Sequence, residues 1–82
     1  MVIFLGSYRL TCRAAQGDGP SRGWVADWHI ALIGAASAGD LAGSVLSATF
    51  PDHRSAMAAA RVAGMVTLEA MHAEAQRQLE SA

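Results

Sequence analysis

Residues 2–14 alternate along the chain. Val2, Phe4, Tyr8, Leu10 and Cys12 share one side, and Ser7, Arg9, Thr11 and Arg13 share the other, with Ile3 and Leu5 as apolar exceptions. A period of two, built from aromatic and β-branched residues, predicts a half-buried strand. Gly6 reads as a bulge or a late strand start within it. The next alternating run is cleaner. Trp24, Ala26, Trp28, Ile30 and Leu32 point one way, and Val25, Asp27 and His29 the other. Between the two runs, Gln16 to Gly23 is dense in turn formers, so the strands pair antiparallel through a short loop.

After residues 34–43, which hold three Gly and no periodicity and read as a mobile connection, 44–50 predicts a third strand. Leu46, Ala48 and Phe50 point inward there, and Val45, Ser47 and Thr49 outward. Pro51-Asp52 then opens a helix, with the Asp52 carboxylate as N-cap. From there the period changes. Met57, Ala60, Gly64, Leu68, Met71, Ala75 and Leu79 recur at steps of three or four, the spacing of a single helical stripe. Gly64 and Ala60 let that helix come close to Trp24 and Trp28. A helix of this length spans roughly 42 Å, against ~20 Å for the third strand, so its last turns overhang the sheet.

The expected architecture is α+β: a three-stranded antiparallel sheet on one long C-terminal helix (β-β-β-α). It forms a single domain over 1–82, with strands at about 2–14, 24–33 and 44–50 and a helix at about 52–80. The expected core is Phe4, Tyr8, Leu10, Trp24, Trp28, Ile30, Leu46, Phe50, Met57, Leu68 and Met71. Val62 and Val66 lie off the stripe, where they either bury against a loop or form a self-association surface.

Composition narrows the function. The chain has 82 residues with a hydrophobic fraction of 52%, but 18 of those residues are Ala, which contributes little buried area. So small a domain has a thin stability margin. All six basic residues are Arg, set against seven acids for a net charge of -1, and neither half of the chain is basic. A lone Cys12 forms no internal disulfide. The opening Met1 to Leu5 run is too short for a signal h-region and has no basic flank. No stretch approaches the ~20 apolar residues of a membrane span. These features lead us to expect a cytoplasmic location.

Catalytic and metal constellations are weak. Cys12 faces the core, where a thiol is inert. His29, His53 and His72 lack metal-ligand spacing, the carboxylates do not pair, and Gly17-Asp18-Gly19 carries an acid where a phosphate would sit. We therefore expect no enzyme, no cofactor and no metal. The outward sheet face does carry chemistry: Arg9, Thr11 and Arg13 on one strand, Asp27 and His29 on the next, and Arg22 in the loop between. Arg9, Arg13, Arg22, Asp27 and His29 form the candidate surface for a nucleic acid or another partner. Arg would read guanine edges or phosphates. The alternative is a solvated face of cross-strand Arg–Asp pairs.

Tyr8-Arg9-Leu10, Gly23-Trp24-Val25-Ala26, Trp28-His29-Ile30 and Phe50-Pro51, followed by Ser55-Ala56 and Ala59-Ala60, resemble small bacterial proteins of β-β-β-α build. That family carries no established activity, so the resemblance implies a fold. The element order is also similar to the arm-type domain of tyrosine integrases and the plant ethylene-response DNA-binding domain. That likeness implies a sheet face entering a DNA groove; the departure is Asp27 on a face those domains keep basic. The expectation that follows is a small interaction or accessory domain, homodimeric through the helix, with nucleic-acid binding by the sheet as the alternative.

Overall fold

The computed structural model describes residues 1–17, 23–34 and 40–80. Its elements are β1 (Val2–Leu5), β2 (Tyr8–Gln16), β3 (Trp24–Leu32), β4 (Ala42–Val45) and α1 (His53–Glu80). The strands form one antiparallel sheet in the order β1-β2-β3-β4, and the helix lies on one face of it, chiefly over β2 and β3.

The sheet therefore has four strands where three were expected. The leading run is a hairpin. Gly6 adopts φ 58°, a backbone conformation that side-chain-bearing residues rarely take, and with Ser7 it reverses the chain so that Leu5 pairs with Tyr8. The reversal also moves the inward face of β1. Ile3 and Leu5, opposite Leu10 and Tyr8, pack against the core, while Val2 and Phe4 point to the uncovered side. Phe4, expected in the core, is 64% exposed. Period 2 alone cannot fix a face once two turn residues interrupt it.

β2 and β3 pair over their full length, Tyr8↔Leu32 to Gln16↔Trp24. Gly17 N–H donates to Gly23 O at 2.8 Å and closes the ladder; residues 18–22, Arg22 among them, lie outside the described residues. The third expected strand begins earlier and is shorter. Ala42–Val45 pairs with β3, and after an interruption Phe50 rejoins the sheet as a bridge to Trp24. Ala48, expected inward, is exposed; Leu46 and Phe50 are half-buried. Of the connection expected at 34–43, positions 35–39 lie outside the described residues.

The helix begins as its sequence dictates. Ser55 N–H donates to Asp52 Oδ1 at 2.7 Å, and that bond holds the Asp52 carboxyl below the usual carboxylate range. The buried helix positions are Ala56, Ala60, Gly64 and Leu68, a strict step of four. Beneath them lie Leu10, Cys12, Ala26, Trp28 and Ile30 of β2 and β3. A Cβ on Gly64 would sit 2.6 Å from Leu10 Cδ1 and 3.3 Å from Trp28 Cβ, so the bare glycine sets the approach of helix to sheet. Trp24 instead meets the first helical residue, His53, edge to face at 5.3 Å. Met57 and Met71 flank the seam half-buried. Leu79, placed on the stripe by its spacing, is 71% exposed, because the sheet ends before the helix does.

Candidate functional site

Helix α1 covers one face of the sheet, and among the described residues no element covers the other. Its rows follow from the register. Phe4, Arg9 and Ala31 lie side by side; Val2, Thr11, His29 and Gly43 form the next row; Arg13, Asp27 and Val45 the third. Val2, Phe4 and Val45 are at least half exposed and rim this surface.

At its centre four polar side chains meet. Arg13 Nε donates to Asp27 Oδ1 at 3.1 Å, and its Nη2 lies 2.9 Å from His29 Nε2. His29 Nδ1 lies 3.2 Å from Asp40 Oδ2, and Nε2 3.2 Å from Asp27 Oδ1. A guanidinium only donates, so in the neutral ring Nε2 accepts from Arg13 and the proton sits on Nδ1, directed at Asp40. Arg13, Asp27 and His29 meet because β2 and β3 place Arg13 opposite Asp27 and Thr11 opposite His29. Gly43 completes the arrangement. A Cβ there would lie 3.1 Å from His29 Nδ1, so the missing side chain leaves space for the ring beside β4.

Thr11, Arg13, His29 and Asp40 line a shallow depression of about 230 Å³, below the ~300–1,000 Å³ of typical small-molecule sites. With a neutral His29 ring the cluster sets one cation, Arg13, against two carboxylates, Asp27 and Asp40, so it carries no net positive charge. A His held by Asp at Nδ1 resembles a general-base arrangement, but here Nε2 faces Arg13 and Asp27, leaving it no vacant lone pair for a substrate. Among the described residues no cluster of His, Cys, Asp and Glu could hold a metal ion, and no charged or polar residue is buried. Cys12 is fully buried, and burial pushes its thiol pKa up, with the nearby N-terminal amine and Arg61 opposing.

The structure thus brings together three of the five surface residues read from the sequence: Arg13, Asp27 and His29. Arg9 shares the face beside Phe4 but stands outside the cluster, and Arg22 lies outside the described residues. Asp40 was missed, since it follows a glycine-rich stretch with no periodicity to place it. Val62 and Val66 are 62% and 69% exposed on the side of the helix away from the sheet, and no loop covers them among the described residues. Val66 also borders an open groove of about 460 Å³ with Tyr8 and Met71.

No family model, no curated protein and no solved structure matches this chain. No helix among the described residues is long and apolar enough to cross a membrane.

Proposed function

We propose that this chain is a non-enzymatic interaction domain, cytoplasmic as its single reduced-type cysteine suits, whose uncovered sheet face receives a protein partner. The observation that carries this is one-sided coverage. The helix buries one face, and the other presents exposed Val2, Phe4 and Val45 around the Arg13–Asp27–His29–Asp40 cluster. An apolar rim around a centre with no net positive charge suits a protein surface better than a phosphate backbone. Each cross-strand pair contributes roughly 0.2–1 kcal/mol, so the cluster orders the face more than it stabilises the fold.

Affinity capture from the native host with wild type, Val45→Asp and Val62→Asp as baits tests the reading. A partner retained by wild type and by Val62→Asp but lost by Val45→Asp supports the sheet face. Capture indifferent to Val45→Asp removes it. The nucleic-acid reading rests on Arg9, Arg13 and Arg22. Against it stands Arg13, already engaged by Asp27 at 3.1 Å. A gel shift with duplex DNA at low salt decides; a bound band that weakens steeply as salt rises would restore that reading. Self-association through the helix would use Val62 and Val66, an apolar stripe of two side chains. The sheet edge has more to give.

A further inference from the structure

We propose that β1 is a docking edge for a second copy of this chain, joined antiparallel to its own β1 so that two sheets become one of eight strands. The inference rests on the backbone of the edge and stands apart from whatever binds the open face.

Met1 and Cys12 exchange backbone hydrogen bonds, Cys12 N–H to Met1 O at 2.8 Å and the terminal amine to Cys12 O at 3.2 Å. Antiparallel pairing alternates, so Ile3 and Leu5 also bond inward to β2. The N–H and C=O of Val2 and Phe4 therefore point away from the sheet. Edges of this kind are usually guarded by charge, proline or a bulge. β1 has none of these: residues 1–8 hold no charged side chain and no proline. The opposite edge, β4, is also uncharged, but Ala42-Gly43-Ser44-Val45 offers one sizeable apolar side chain.

The occupant follows from self-complementarity. The register that satisfies both outward-facing residues pairs Val2 with Phe4 of the partner subunit, and Phe4 with the partner's Val2. Its two-fold axis passes between Ile3 and the partner's Ile3, normal to the sheet. Val2 then lies beside the partner's Phe4 on the open face, where the two are 50% and 64% exposed. Ile3 meets the partner's Ile3 on the helix face. Both helices fall on the same side of the joined sheet and run antiparallel.

Charge on the helix flanks agrees with this. Arg61 lines a groove beside Met1, and His72 stands over Gly6, so the level of Ile3 falls between them. Glu69, two turns beyond Arg61, is exposed. The two-fold therefore sets Arg61 across from the partner's Glu69, opposite signs facing across the trough between the helices.

The test is sedimentation or light scattering at high micromolar concentration, with wild type, Phe4→Pro and Val62→Asp. Proline at position 4 removes an N–H that points away from β2 and meets no partner among the described residues, so the monomer keeps its ladder while the edge is blocked. The expected result is a wild-type mass about twice the 8.5 kDa of one chain. Phe4→Pro should be monomeric, its dissociation constant raised at least tenfold, and Val62→Asp should remain dimeric. A monomeric wild type, or a dimer dispersed by Val62→Asp and not by Phe4→Pro, overturns the proposal. Should Phe4→Pro unfold, amide exchange on wild type decides. Val2 and Phe4 amides that gain protection as concentration rises support the edge, and amides that exchange freely in the dimer overturn it.

Discussion

Gly64→Ala sets two known effects against each other. In an exposed helix interior the change would stabilise by about 1 kcal/mol, because alanine is the better helix former. Here the new Cβ would sit 2.6 Å and 3.0 Å from the two Leu10 methyls, where carbon atoms prefer about 3.5–4.0 Å. Leu10 is fully buried, so its tip cannot swing into solvent and the helix must lift. Overpacking of this kind costs about 1–3 kcal/mol. The net expectation is a loss of about 0–2 kcal/mol, a fall in Tm of up to roughly 15 °C for a domain this small. Urea and thermal melts followed by circular dichroism at the helix band measure it. Ala58→Gly, on the exposed side of the same helix, isolates propensity and should lose about 1 kcal/mol. The decisive reading is a double-mutant cycle with Leu10→Ala. Alone that change should cost about 2–5 kcal/mol, and in the Gly64→Ala background it should cost less by at least about 0.5 kcal/mol. A Gly64→Ala protein stabilised by about 1 kcal/mol with no coupling to Leu10 would refute the close approach.

Gly6→Val should destabilise by about 1–3 kcal/mol, since φ 58° is strained for a β-branched residue and the Cβ would meet the His72 ring at 2.7 Å; His72→Ala should recover only the second part. For Cys12, labelling by a disulfide reagent should be much slower in the folded protein than in urea. Because burial raises the folded pKa of that thiol, its contribution to stability is complete below the unfolded value of about 8.5 and is lost as pH rises through the folded one; Cys12→Ala should flatten that alkaline decline. Asp52 has the opposite sign. Its lowered pKa stabilises the fold above the ordinary carboxylate value of about 3.9 and stops doing so as pH falls through the folded value, so Asp52→Asn should lower stability at neutral pH and shrink the loss on acidification.

Much of this fold could be read from the chain because its signals were local and redundant. Trp24 to Leu32 alternates without a break, and its inward set packs from Trp24 to Ile30, while Leu32 at the strand's end is exposed. Asp52 announces its cap by position alone, and nothing breaks the helix for 28 residues. The first strand was misread where one signal bore two meanings: Gly6 suits a bulge or a reversal, and only pairing with Tyr8 decides. Phe4 and Leu79 were misplaced for a related reason. Periodicity gives a direction, while burial needs a neighbouring layer that extends far enough to cover it. The cross-strand Arg13–Asp27 pair was legible from alternation; Asp40, brought in by a nonperiodic segment, was not.

The length of α1 divides the molecule into parts with different tolerance. From Ala73 to Glu80 every side chain except half-buried Ala75 is exposed, so these turns gain little from apolar packing. They are the place where local opening costs least. A fluorophore, a tether or a shortened terminus can be introduced there with small effect on the remainder, which makes this end the natural attachment point for immobilising the domain while both sheet edges stay free.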